Sequence, residues 1–260
     1  MPTDVTISQI PIPHVEYRAT VGPTDEAHWH NPSGNYILSG LPIARSEAEL
    51  AALHDRVFDF GCGCGRVAIQ MLEQRNRPSR YLGIDISRPL LDWCVANLTP
   101  IDDRFQFQHH DVFNLTYAPG NSPNRTALFP AEDDAFSLVL AHSVFTHVLD
   151  DQARHYLQEC ARVIDCGGLI CSTWFFFNRD AFLTLAPHQN CLYVNEIDST
   201  QAVYFDWQYF RRMAADCGMK IVWVDWTQGR GFHTTVYLHK GDRYPEIAHR
   251  LVPPATLPGY

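Results

Sequence analysis

The sequence predicts an α/β protein built on a doubly wound, mostly parallel sheet, and three observations carry that prediction. Short apolar runs alternate with helix-patterned segments over residues 46–240, the pattern of βα units stacked side by side. The first apolar run leads straight into Gly61-Cys62-Gly63-Cys64-Gly65, and a helical pattern follows at once. With 260 residues and 46% hydrophobic content, the chain can bury a full core as a single domain.

The elements follow in order. Residues 1–45 are rich in Pro, His and Gly with weak periodicity, and read as an N-terminal arm. Ser46 and Glu49 have capping-box spacing ahead of Leu50 and Leu53, which starts a helix. Arg56–Phe60 is the first strand and Val67–Glu73 its helix. Tyr81–Ile84 is the second strand, followed by a helix that Ser87 caps and Pro89 opens. Phe105–His109 is the third strand. A polar insertion, Tyr117–Pro130, precedes the fourth at Phe136–Ala141.

Asp150–Val163 carries Ala153, Tyr156, Leu157 and Cys160 along one helical face, and Gly167-Gly168 offers a left-handed cap to end it. Leu169–Trp174 is the fifth strand. An irregular insertion, 175–205, separates it from the helix Trp207–Cys217, which stops at Gly218. Lys220–Asp225 and Thr234–His239 close the sheet as two strands around a Gly-bearing turn, with 241–260 as a tail.

Composition excludes several functions. A formal charge of −9 with 19% charged residues does not suit a nucleic-acid partner. The N-terminal residues lack the basic, apolar pattern of a signal peptide, and no apolar run approaches a membrane span, so no membrane is expected. Eight scattered cysteines without a second metal-type pair read as free thiols in a reducing cytoplasm. No metal is expected either. His109 and His110 stand beside Asp111, but adjacent strand residues point to opposite faces.

Strand, glycine loop and helix together make a nucleotide cradle, because glycine lets bare backbone approach a ligand. Three acids stand at strand ends around it: Asp59, Asp85 and Asp111. An acid ending the second strand can accept both hydroxyls of a ribose. Each Asp alone is equally a cap or turn former; three at successive strand ends point to a ligand site. A dinucleotide fingerprint would read G-x-G-x-x-G, which this loop does not.

The motifs VFDFGCGCGR, YLGIDIS, FQHHDVF, FSLVLAHSVFTHV and YLQECARVIDCGGLICSTWF, spanning roughly residues 56–175, resemble those of the class I S-adenosylmethionine-dependent methyltransferases. The resemblance implies a Rossmann-like, seven-stranded sheet, mostly parallel with an antiparallel C-terminal strand, and S-adenosyl-L-methionine as cofactor. Gly61, Cys62, Gly63 and Gly65 would line the methionine moiety, with Asp59 orienting its amino group. Asp85 would hold the ribose, Ile86 would lie on the adenine, and Asp111 and Val112 would frame the ring from the other side. Main chain near Ala141, His142 and Ser143 would meet the methionine amine. Arg66 either reaches the carboxylate or pairs outward.

The resemblance further implies methyl transfer to a hydroxyl or amine of a small molecule or glycan. A hydroxyl acceptor needs a general base, and His is the usual choice near neutral pH. His147 is the first candidate, since the serine-to-histidine pattern here is similar to one in methyltransferases acting on sugars; a buried histidine tying down the helix start is the competing reading. His142 is second, contributing main chain more than imidazole. Tyr17 and Tyr36 in the arm, together with Trp174, His188 and Tyr193 near or within the insertion, are the candidate substrate wall, although core packing is the ordinary use of any one aromatic. Alternatives are a peptide or protein methyltransferase, a non-catalytic binding module on the same fold, and a nicotinamide-dependent oxidoreductase. The oligomeric state, a homodimer included, stays open.

Overall fold

Four consecutive residues of the first strand, β1 (Arg56–Phe60), are buried from Val57 to Phe60, as a strand covered on both faces must be. The computed structural model containing it describes residues 9–35, 43–182, 184–195, 197–226, 233–244 and 253. Tyr36, Glu196, residues 227–232 and almost all of the tail beyond 244 therefore lie outside the described residues.

β1 pairs in parallel with β2 (Arg80–Asp85) on one side and β4 (Phe136–Ala141) on the other. β3 (Phe105–His109) flanks β2, and β5 (Ile164–Phe177) flanks β4, both parallel. The order β3-β2-β1-β4-β5 reverses between β1 and β4, so the ligand crevice of such a sheet opens at their carboxyl ends. Among the described residues six α-helices accompany the strands: α1 (Val15–Val21), α2 (Glu47–Leu53), α3 (Arg66–Leu72), α4 (Arg88–Asn97), α5 (Asp150–Val163) and α6 (Trp207–Asp216). Side chains alternating along β1 feed two cores. Phe58 and Phe60 join Tyr156 and Trp174 in one, and Val57 joins Tyr81, Ile69 and Cys94 in the other.

The closing strands β8 (Met219–Asp225) and β9 (Thr234–Lys240) are antiparallel to each other, and β9 is antiparallel to β5. This is the mostly parallel sheet with an antiparallel C-terminal strand that the sequence predicts. The strand number differs: nine strands are present among the described residues, not seven. The two additional ones, β6 (Cys191–Tyr193) and β7 (Val203–Asp206), fall in the stretch expected to be irregular. β5 runs on through Phe175–Phe177 and offers those residues as an edge to β7. Strands of three and four residues are too short to print an alternation in the sequence.

Two local expectations are corrected. Gly167-Gly168 does not cap α5 in a left-handed conformation, since neither glycine has positive φ. Instead, Ile164 pairs with Phe136 and Leu169 with Leu138, so residues 165–168 bulge from β5. Ser87 occupies the N-cap of α4 but its side chain makes no capping bond. Its N–H donates to Asp85 Oδ1 at 2.8 Å. Ser46 does accept from Glu49 N, with Glu49 accepting from Arg45 N in return.

The arm is docked. Trp29 is fully buried and donates Nε1–H to the Pro23 carbonyl at 2.8 Å. Glu73, just after α3, accepts from Asn31 N and lies 2.7 Å from His30 Nδ1.

A methyl group at Gly168 would stand 2.7 Å from the Ser137 carbonyl oxygen, which the sheet cannot move aside. Gly168→Ala is therefore expected to cost about 1–3 kcal/mol of stability in urea unfolding. Gly120→Ala, where an added Cβ meets nothing within 4 Å, should stay within about 0.5 kcal/mol of wild type.

Candidate functional site

The loop between β1 and α3 places three glycines in the left-handed region, Gly61 at φ 78°, Gly63 at 56° and Gly65 at 80°. Besides the backbone conformation, space enforces glycine here. A Cβ on Gly61 would overlap Val144, one on Gly63 would lie 2.7 Å from Val21 of α1, and one on Gly65 2.7 Å from Leu98. The intervening cysteines point inward. Cys62 Sγ packs against Gly83 and donates to the Gly63 carbonyl. Burial pushes the Cys64 thiol up to about 12 and drives Cys62 upward as well, so both are inert packing groups. Cys62 therefore lines the loop with main chain only.

Asp85 closes on this loop. Its Oδ2 accepts from Gly63 N at 2.8 Å while Oδ1 accepts from Ser87 N, leaving lone pairs on both oxygens. Burial raises its pKa, against the pull of those backbone donors. Asp59 lies under the loop, 2% exposed, and accepts from the Tyr81 hydroxyl. Burial, with the Asp85 charge adding to it, pushes its carboxyl up to about 7. Arg66, the first residue of α3, lies beside Gly22 of the arm, and its charge bears on both Asp59 and His142. It faces the site.

Beyond β2 and β3 the Ile86 carbonyl accepts from Asn121 Nδ2 at 2.9 Å and stands 3.0 Å from His109 Nε2. Asn121 also donates to the Val112 carbonyl at 3.2 Å, which brings Ile86 and Val112 to the two sides of one polar group. Asp111 is exposed, and its Oδ1 accepts from Ser122 N, the turn-forming use that an Asp often has. The rings of His109 and His110 diverge, His109 towards Ile86 and Arg88 and His110 towards the Tyr156 hydroxyl at 2.9 Å.

Beyond buried Ala141, β4 gives way to Ser143, which holds φ 56° although it is not glycine. The Ser143 N–H donates to Thr173 Oγ1 at 2.7 Å, and its hydroxyl lies 3.1 Å from His233 Nε2. His142 is half-buried, and desolvation pushes its imidazole down to about 4. His147 ends a short 3-10 helix, Phe145–His147. Its Nδ1 is 3.2 Å from the Thr200 carbonyl, its Nε2 is 3.4 Å from the Tyr117 hydroxyl, and desolvation lowers its pKa. Asp198 accepts from Thr200 N and from the hydroxyls of Thr200 and Thr116, fixing the carbonyl that faces the ring. A cleft of about 170 Å³ borders this group, with Asn114, Arg125, Gln152, Asp198 and Thr200 on its walls. A larger one, about 420 Å³, lies at the opposite ends of β1 and β4 and contains none of the sequence-predicted residues.

The substrate candidates scatter. Trp174 is fully buried, stacked on Phe145 at 4.2 Å and bonded to Ser172 Oγ, so it belongs to the core and forms no substrate wall. His188 is exposed on the loop before β6, Tyr193 is 43% exposed on β6, and Tyr17 is half-buried on α1. Tyr36 lies outside the described residues. Sequence reading missed Tyr117, Asn121, Thr200 and His233, which reach the site only through long-range contacts. The one local signal was the polar content of 117–130.

Residues 57–168 match the family described as Methyltransferase domain. A SAM-dependent methyltransferase from Methanosarcina mazei is 16% identical, covering 75% of this chain and 98% of that one at a TM-score of 0.50. Geranyl diphosphate C-methyltransferase from Streptomyces coelicolor A3(2), solved with Mg2+, geranyl diphosphate and S-adenosyl-L-homocysteine, is 14% identical, covering 75% and 76% at 0.50. The [4+2]-cyclase SpnF is 14% identical, covering 87% and 91% at 0.52. At these identities the structural likeness establishes a shared fold.

Asp59 gives a pH signature. Between its ordinary value of 3.8 and its folded value of about 7, the folded protein keeps a proton that the unfolded chain has released. Its contribution to stability therefore falls as pH rises through that window. Asp59→Asn keeps an acceptor for Tyr81 and cannot ionise. Its stability relative to wild type is expected to climb across the same window, read from urea midpoints at successive pH values; a flat difference would show that Asp59 is already ionised in the fold.

Proposed function

We propose that the chain, whose residues 57–168 match the methyltransferase domain family, is an S-adenosylmethionine-dependent methyltransferase that methylates a hydroxyl, or an amine, of a small molecule or glycan, with His147 as general base. The observation that carries this reading is the hydrogen bonding of His147. An Nδ1–H donated to the Thr200 carbonyl at 3.2 Å leaves the lone pair on Nε2, facing the Tyr117 hydroxyl that an acceptor hydroxyl would displace. Desolvation favours the neutral ring at pH 7, the form that can accept a proton.

The residues around the glycine loop suit the cofactor. Bare backbone at Gly61, Gly63 and Gly65 faces the methionine half, and Asp85 has lone pairs for the ribose hydroxyls. Ile86 and Val112 flank the adenine, with Asp111 at its rim. Asp59, with the main chain of Ala141 and Ser143, serves the methionine amine. When bound, S-adenosyl-L-methionine supplies an activated methyl group on a sulfonium. This chain must then orient the acceptor and remove its proton. A hydroxyl proton passes to His147 Nε2, and the imidazolium that results is supported by the Thr200 carbonyl and the nearby Asp198 charge. Polar groups on the adjoining cleft suit a hydroxylated acceptor. The arm, with Tyr17 on α1, acts as the cover.

Titration with S-adenosylhomocysteine in a calorimeter tests the cofactor reading; absence of binding removes it in favour of a non-catalytic module. Asp85→Ala should weaken that binding by about 1.5–3 kcal/mol, the loss of hydrogen bonds to a charged acceptor; unchanged affinity would refute the ribose role. His147→Ala should lower turnover by about 10²- to 10⁴-fold while leaving S-adenosylhomocysteine affinity near wild type. Retained turnover would place the base elsewhere.

A further inference from the structure

Arg18 is the least explained charge among the described residues. It lies on α1 with 7% of its surface exposed, although an arginine on a surface arm ordinarily keeps its head in water. One nitrogen, Nη2, donates to Glu26 Oε1 at 3.3 Å, and Glu26 itself is 69% exposed. Nε and Nη1 are buried with no hydrogen-bond partner among the described residues. Leaving donors of a cation dry and unpaired is costly, so this arrangement implies an absent acceptor.

The position says what that acceptor is near. Arg18 and Val21 are three residues apart and share one face of α1. Val21 is the side chain that covers Gly63. Arg18 is also close enough to Cys64 for its charge to lower that thiol's pKa. The guanidinium therefore sits over the glycine loop, on the side facing the arm.

We propose that Arg18 anchors the carboxylate at the amino-acid end of the cofactor, making the arm part of the cofactor site. This rests on the cofactor reading above and deepens it. Charge matching supports the assignment: Asp59 and Asp85 are acids suited to the amine and the hydroxyls, and neither can take the carboxylate. Arg66 brings a positive charge near Asp59 as well, but Arg18 is the cation over the loop with two buried donors that have no partner among the described residues. The ligand then links α1 to the loop, and arm docking and cofactor affinity become one equilibrium.

The test uses the full chain and two probes, S-adenosylhomocysteine and 5′-methylthioadenosine, which keeps the nucleoside and thioether but lacks the amino-acid end. Arg18→Met should bind S-adenosylhomocysteine about ten- to a hundredfold more weakly than wild type, with methylthioadenosine affinity unchanged. Equal S-adenosylhomocysteine affinity, or an equal loss for both probes, overturns the proposal. Should Arg18→Met fail to fold by thermal melting, hydrogen exchange on the wild type decides. S-adenosylhomocysteine should protect the amides of α1 and methylthioadenosine should not; equal protection by both overturns it. Wild type binding neither probe would instead sink the cofactor reading itself, and this inference with it.

Discussion

The carboxylate of Asp85 joins the elements that the site depends on. One oxygen holds Gly63 N and the other holds Ser87 N, so a single side chain at the end of β2 fixes both the glycine loop and the start of α4. Two charge-assisted bonds to backbone are strong and directional. They also leave lone pairs on both oxygens beside the glycine loop.

Beneath that acid lies a second one, and the pair is an electrostatic load on the fold. Asp59 is buried in the cluster that holds Val57 and Tyr81, and the charge of Asp85 pushes its pKa the same way as its own burial. The Tyr81 hydroxyl and the charge of Arg66 act against that push. Stability alone would favour apolar residues at such a position. A carboxyl held near 7 beneath a bare backbone loop is instead the kind of perturbed group that accompanies functional sites.

Much of this was legible in the residues because the information was local. Apolar runs marked β1 to β5, the Ser46–Glu49 spacing marked α2, and the glycine loop, Asp59 and Asp85 are residues that the structure brings together. The failures share one cause, which is contact at a distance. Gly167-Gly168 resembles a helix stop until Ser137 of the neighbouring strand is seen against it. Trp174 resembles a pocket aromatic until Phe145 and Phe210 enclose it. Thr200 and His233 carry no signal at all, because what places them is the chain far away in sequence, at His147 and Ser143.

The division of labour along the chain follows from the same geometry. The matched domain, 57–168, contains the glycine loop, all three strand-end acids and the histidine block. The groups that touch these from outside it come from the arm and from the region after β5. Val21 covers Gly63, Thr200 orients His147, and His233 meets Ser143. Loops on a rigid scaffold can change without disturbing the sheet that supports them. In this chain the carbonyl opposite His147 belongs to the stretch between β6 and β7, where Asp198 holds it. Altering that stretch would alter the partner of the His147 ring and the wall of the adjoining cleft together. One segment beyond the matched domain is thus tied to both the His147 ring and the cleft, as the arm is tied to the glycine loop.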